Sequence, residues 1–196
     1  MTSRKGQARR TQVVDIALRR FAAHGYRGVS LATIAQEAGI SEAGLIHHYP
    51  TKPSLLLAVL EHYEARNHEL IMDAFESSGG AIYSAWLALA KSHEADPTFI
   101  RFFTVLAAES VAPDHPAHAW FVERYDRVRS DIGQMFAAAQ QAGDVRPELD
   151  PDLCARQLVA MFDGIQLQYL LAGGALDLVT PLRELLDSFT DSSSRA

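Results

Sequence analysis

The chain has 196 residues, 48% of them hydrophobic and 21% charged, with a net charge of −6. That length buries a sizeable core, as one compact unit or as a small head on a larger body. The single cysteine, Cys154, excludes an intrachain disulfide and points to a reducing compartment, and the absence of any apolar run of about 18 residues excludes a membrane-spanning helix.

The amino end, Met1-Thr2-Ser3-Arg4-Lys5-Gly6, leads into charged residues and does not read as a signal peptide. Arg4, Lys5, Arg9 and Arg10 are expected as a frayed arm able to touch phosphates or a minor groove. A first helix is predicted from about Ala8 to His24, with Val14, Ala17, Leu18 and Phe21 as its buried stripe and Gly25 as its stop. Arg27 and Ser30 then stand at the entry of a second helix, well placed for phosphates. Leu31, Ile34, Ala35 and Ala38 recur at i, i+3, i+4 and i+7, one apolar face, and Ser30 supplies the N-cap. Gly39 follows where a left-handed residue ends a helix cheaply, Ile40 is a buried turn residue, and Ser41 caps a third, short helix. Leu45 and Tyr49 face inward and Pro50 stops it.

Two short helices joined by a glycine turn make the helix-turn-helix pattern, whose second helix enters the DNA major groove. Glu42, Ala43, Ile46 and His47 point away from the Leu45/Tyr49 seam, Ala43 and Gly44 are small enough for close approach, and His47 and His48 can donate to bases or phosphates. An ordinary helical hairpin has the same spacing. Charge separates the two readings in part. Residues 1–55 hold eight basic side chains against three acidic ones, so the remainder of the chain must be strongly acidic to reach −6 overall. A basic head on an acidic body is the asymmetry expected when one end alone approaches phosphates.

Thr51 caps a fourth helix, Pro53 sits in its first turn, and the helix is predicted to run to about Ser77, where Ser77-Ser78-Gly79-Gly80 breaks the chain. Further helices are expected at about 81–95, 97–111, 116–141, 151–172 and 179–190. Asp96-Pro97, Asp150-Pro151 and Thr180-Pro181 mark three of these starts as an N-cap followed by Pro. No strand pattern occurs, so the fold class is all-α, with Ser192-Ser193-Ser194 as a disordered tail. The 151–172 segment is apolar on two sides. Cys154, Leu158, Met161, Phe162, Ile165 and Tyr169 make one, and Leu153, Ala160, Gly164, Leu167 and Leu171 the other. Burying one side against its own body and one against a second copy is the economical solution.

No phosphate-binding glycine loop, dinucleotide fingerprint, nucleophile elbow or HExxH zinc motif is present. Glu64/His68 and His115/His118 fall short of a ligand set, and Cys154 reads as core. No catalytic residues, metal or cofactor are expected.

The stretch Thr33-Ile34-Ala35, Ala38-Gly39-Ile40-Ser41, Leu45 and His48-Tyr49-Pro50-Thr51-Lys52 closely resembles the DNA-binding segment of TetR-family transcriptional regulators, over about Arg9 to Leu60. The resemblance implies an all-α homodimer with a helix-turn-helix DNA-binding domain at 1–52 and a helical ligand-binding and dimerisation domain at 53–196. It implies a sequence-specific regulator, a repressor released from a palindromic operator by an apolar or amphipathic small molecule, working in the cytoplasm. The DNA-binding set is then Arg9, Arg10, Arg27, Ser30, Thr33, Ser41, Glu42, Ala43, Gly44, Ile46, His47, His48 and Lys52, with Lys52 a phosphate contact at the start of a helix that shifts when ligand binds. Part of the aromatic body would line the ligand cavity: Trp86, Phe99, Phe103, Trp120 and Phe162, with His93 and Gln166 as polar anchors. The dimer interface would use Leu153, Ala160, Gly164, Leu167 and Leu171, joined by Leu182 and Leu186 of the last helix. Two positions depart from the family pattern. Glu42 stands where a basic or neutral residue is common, and Ile46 where Tyr is common. They keep open a second reading, a helical-bundle carrier or enzyme whose head has lost DNA binding. Glu42 could instead accept from cytosine N4.

Overall fold

The computed structural model describes residues 4–78 and 82–190, with side chains from Gly6 onward. Gly79, Gly80 and Ser192-Ser193-Ser194 lie outside the described residues, as do the side chains of Arg4 and Lys5. In order the helices are α1 (Arg4–His24), α2 (Leu31–Glu37), α3 (Glu42–His48), α4 (Lys52–Ser77), α5 (Ile82–Ala95), α6 (Thr98–Glu109), α7 (His118–Ala142), α8 (Pro151–Leu171) and α9 (Val179–Phe189). Among the described residues the one extended pairing is an isolated bridge between Val145 and Thr190.

Several boundaries differ from expectation; α6 begins at Thr98, one residue beyond Pro97, and ends at Glu109. The helix expected from Ala8 starts at Arg4, so Arg9 and Arg10 belong to α1 and not to a frayed arm. Lys, Gln, Ala and Arg are good helix formers, and one glycine does not stop them. At α9 the capping group is Asp177, whose carboxylate accepts the Thr180 N–H, while the Leu178 N–H donates to Glu94 Oε1 at 2.7 Å. Thr180 and Pro181 therefore lie inside the first turn, where Pro181 misses no hydrogen bond. The Asp150-Pro151 start is as expected, with Asp150 Oδ1 accepting the Asp152 N–H at 2.9 Å and the Leu153 N–H at 3.4 Å.

The chain divides into two compact units. The first holds the residues up to Arg66 together with Thr98–Phe121. Val13, Val14, Ala17, Leu18 and Phe21 of α1 are buried there, with Ile34 and Ala35 of α2, Leu45 of α3, and Leu55, Leu56, Val59 and Leu60 of α4. Helix α6 is part of this core. Phe102 stacks on Phe21 with ring centroids 6.1 Å apart, Phe99 stacks on Tyr63 at 5.2 Å, and the Tyr63 hydroxyl donates to Asp15 at 3.0 Å.

The second unit holds Asn67–Pro97 and the residues from Val122 onward. Helix α8 buries Cys154, Ala155, Leu158, Val159, Phe162, Gln166 and Tyr169, and α9 buries Leu182, Leu186 and Phe189. Phe189 meets Phe136 of α7 edge-on at 5.2 Å.

The turn between α1 and α2 is sterically tight. A Cβ on Gly28 would lie 2.4 Å from the His24 carbonyl oxygen, a backbone atom that cannot swing aside. Gly28→Ala is expected to cost about 1–3 kcal/mol, the range for overpacking a fixed site. Thermal unfolding at fixed protein concentration checks this, and an unchanged melting temperature would show that the turn relaxes freely.

Candidate nucleic-acid interface

The α2–turn–α3 segment is held by caps at every junction. Ser30 Oγ accepts the Thr33 N–H at 3.1 Å and opens α2. Gly39 adopts φ +65°, which an L side chain would resist, and the Ile40 N–H returns to the Ala35 carbonyl at 3.0 Å. Ser41 Oγ accepts the Gly44 N–H at 3.1 Å and opens α3. Thr51 and Ser54 cap α4 reciprocally, Thr51 Oγ1 accepting the Ser54 N–H and Ser54 Oγ the Thr51 N–H, each at 3.1 Å.

Within α3, Leu45 is fully buried, and so nearly is Tyr49 just beyond it. Glu42, Ala43, Ile46 and His47 are exposed, Ile46 at 41% of its surface. Gly44 and His48 are half-buried, and the His47 and His48 rings meet edge-on at 5.4 Å. The helix thus carries a packed side and an exposed side within seven residues.

Several cations expected to face DNA are engaged inside the head. Arg9 Nη1 donates to the Ala38 carbonyl at 3.4 Å, closing the end of α2. The Arg10 guanidinium stands 5.9 Å from the Tyr49 ring centroid. Burial raises the pKa of the Tyr49 phenol against an opposing pull from Arg10. Lys52 Nζ donates to the Arg27 carbonyl at 3.3 Å and lies 4.5 Å from the Tyr26 ring centroid, and burial lowers its pKa. Arg27, Ser30 and Thr33 are exposed. The sequence reading missed the pairing of Glu37 in α2 with Arg20 and, at 3.9 Å, Arg19 of α1. It also missed Tyr26; the only signal was an aromatic just past the Gly25 stop.

The seven expected cavity residues fall into two groups. Trp86, His93, Phe162 and Gln166 come together in the second unit: Trp86 meets Phe162 edge-on at 5.1 Å, His93 stacks on Phe162 at 5.7 Å, and Gln166 Nε2 lies 3.2 Å from His93 Nδ1. Phe99, Phe103 and Trp120 belong to the first unit. Phe99 and Phe103 are buried at 5.6 Å from each other, and Trp120 packs edge-on against Phe121 at 5.0 Å. In the first unit Phe99 of α6 reaches α4 through Tyr63, and Phe103 meets Phe121 of α7 at 5.1 Å. Asp163 and Tyr125 add polarity to the second unit, the Tyr125 hydroxyl donating to Asp163 Oδ2 at 2.8 Å. Burial raises the pKa of Asp163, with Tyr125 and Arg124 opposing.

On α8, Leu153, Leu167 and Leu171 are exposed at 49%, 46% and 79%. Ala160 is exposed too and Gly164 half-buried. Leu182 and Leu186 are a correction. They are buried in their own protomer, where α9 packs on α5 and α8, and offer a second copy no surface. Among the described residues no three His, Cys, Asp or Glu side chains group as metal ligands, and no helix is long and apolar enough to cross a membrane. His115 and His118 both engage Ser110: His115 Nδ1 lies 2.9 Å from its hydroxyl, and His118 Nδ1 donates to its carbonyl at 2.8 Å.

Residues 13–59 match the family model for bacterial regulatory proteins of the tetR family, and residues 81–193 match that for the C-terminal part of BetI-type transcriptional repressors. The chain belongs to the TetR family. Similar curated proteins include the A-factor receptor protein of Streptomyces griseus, 26% identical over 91% of this chain and 63% of that protein's length. The regulator BetI of Burkholderia thailandensis is 26% identical over 90% of this chain and 89% of its own. A solved structure described as the molecular basis for control of antibiotic production by bacterial hormones superposes with a TM-score of 0.75, at 27% identity over 91% of this chain and 95% of that one. As a TetR-family member the protein is a ligand-responsive DNA-binding transcriptional regulator that acts as a homodimer, and is not an enzyme. Nothing in these comparisons favours a carrier or an enzyme.

The neutral imidazole of this regulator carries a pH signature. Burial first, and Arg124 second, lower the His93 pKa from 6.5 to about 4. The unfolded chain then binds the extra proton between these values, so stability falls as pH drops through that window, by about 3 kcal/mol at full extent. The raised pKa of Asp163 acts in the opposite sense. Denaturant melts of wild type and His93→Gln between pH 7 and 4 isolate the imidazole: the difference in stability should change across the window, and parallel curves would disprove the assignment.

Proposed function

We propose that the exposed side of α3 reads the operator, with Glu42, Ala43, Ile46 and His47 at base edges and Ser30, Thr33, Ser41, Gly44, Arg27, His48 and Lys52 at the backbone. The observation that carries this reading is the division of α3 into a buried Leu45 and an exposed Glu42/Ala43/Ile46/His47 set. Arg9 and Arg10 serve the same surface indirectly, by fixing α2 and Tyr49. Residues 1–52 act as the DNA-binding domain and 53–196 as the ligand-binding and dimerisation domain. The protein works in the cytoplasm as a repressor, where its DNA is.

The second copy docks on the α8 face made by Leu153, Ala160, Gly164, Leu167 and Leu171. Their spacing of seven, four, three and four residues keeps them on one helix face, and large exposed leucines call for cover. The effector is apolar or amphipathic and uncharged, held by Trp86 and Phe162 with His93 and Gln166 as hydrogen-bonding anchors. A neutral His93 favours an uncharged partner.

A selection of duplexes from random DNA tests the reading. The recovered site should be palindromic, with half-site centres about 34–36 Å or a multiple apart. Lys52→Ala should weaken binding to every sequence alike and reduce the salt slope, whereas Glu42→Gln should change the preferred base; a uniform gain in affinity would show that Glu42 only repels phosphate. Leu167→Glu with Leu171→Glu should give monomers by light scattering, and an unchanged dimer would move the interface off this face.

A further inference from the structure

Tyr26 stands where three segments of the first unit meet. Lys52, the first residue of α4, holds its ammonium 4.5 Å from the ring centroid and donates to the neighbouring Arg27 carbonyl at 3.3 Å. Phe21 of α1 meets the ring edge-on at 5.6 Å. His115, in the connection between α6 and α7, meets it at 5.8 Å and 70°. His115 is itself anchored. Nearly all of its surface is buried, and its Nδ1 accepts the Ala117 N–H at 3.2 Å beside the Ser110 hydroxyl at 2.9 Å.

A plain core aromatic would be buried and would not carry an ammonium on its ring. Tyr26 is half-buried. A lysine on a free four-carbon stem loses rotamer freedom when it grips a phosphate, and one already held over a ring has lost it beforehand. The ring attracts the cation through its quadrupole, and the Arg27 carbonyl fixes the direction of one N–H.

We propose that Tyr26 is a positioning residue for operator binding: its ring preorganises the Lys52 ammonium at the start of α4, and its edge contact with His115 makes that placement depend on the α6–α7 connection. The inference rests on Lys52 being a phosphate contact, as proposed above. It adds a residue that touches no DNA and ties a DNA-facing cation to α6.

The experiment is a double-mutant cycle on the full-length dimer, with a duplex recovered from random DNA and affinity measured against salt. Lys52→Ala should weaken binding and lower the salt slope by about one phosphate contact. Tyr26→Leu should weaken binding about three- to tenfold, the scale of a lost cation–π contact, yet add nothing in the Lys52→Ala background. Tyr26→Phe keeps the ring and should restore most of the affinity. His115→Leu should follow Tyr26→Leu, losing affinity only where Lys52 is present. Thermal melts establish that each variant is folded; should Tyr26→Leu not fold, Tyr26→Met completes the same cycle. Additive losses for Tyr26 and Lys52, or no loss for Tyr26→Leu alone, overturn the positioning role while leaving Lys52 as a contact. Additive losses for His115 and Lys52 overturn the link to the α6–α7 connection. Unchanged affinity and slope in Lys52→Ala overturn both the contact and the inference built on it.

Discussion

A helix of seven residues has almost no stability of its own in water, because nucleation costs more than two turns of hydrogen bonds return. Helix α3 therefore depends wholly on what surrounds it. Leu45 is sealed in the core, Ser41 satisfies the Gly44 N–H, and the Tyr49 N–H closes on Leu45 at 2.8 Å. Gly39 sets the angle at which the chain leaves α2, since few other residues accept φ +65° without strain. This economy leaves Glu42, Ala43, Ile46 and His47 of α3 exposed. On the reading proposed above, such positions can change to suit a different DNA sequence at little cost to the fold of the head.

The cations of the head show a second constraint. An excess of positive charge destabilises a small domain by self-repulsion, and the head lowers that cost by engaging part of it internally. Arg20 and Arg19 pair with Glu37, Arg9 closes a helix end, and Arg10 and Lys52 stand over tyrosine rings. Exposed pairs of this kind contribute about 0–1 kcal/mol each, so their value lies less in stability than in fixing where long side chains stand. A count of lysines and arginines therefore overstates the number of phosphate contacts.

The helices were legible in the sequence because each start or stop has local chemistry: serine and threonine caps, Asp150 before Pro151, glycine after α1 and α2. The buried faces of α1 and α3 were legible because their periodicity is short and unbroken. Choices between two equally apolar surroundings were not. Leu182 and Leu186 are leucines on an amphipathic helix, and nothing in the pattern says whether their partner is the same chain or another copy. The pairing of α6 with α1 was not legible either: Phe102 stacks on Phe21, and nothing local to the aromatic run of α6 names that partner. The carbonyl partners of Arg9 and Lys52 were not legible, because backbone acceptors carry no sequence signal.

In the proposed assignment helix α8 joins the remaining functions. Phe162 and Gln166 face the His93 and Trp86 cluster, while Leu167 and Leu171, one turn apart on another side of the helix, are exposed. A helix with intact backbone bonds shifts nearly as a rigid rod. With the effector and the second copy placed as proposed above, a ligand that displaces the inner face displaces the outer one and the copy seated on it. The coupling also runs in reverse: by linkage, a ligand that lowers DNA affinity tenfold must itself bind tenfold more weakly to the DNA complex, about 1.4 kcal/mol of coupling. His93 is held neutral by burial, with a pKa lowered to about 4, so its imidazole keeps one protonation state across the physiological pH range.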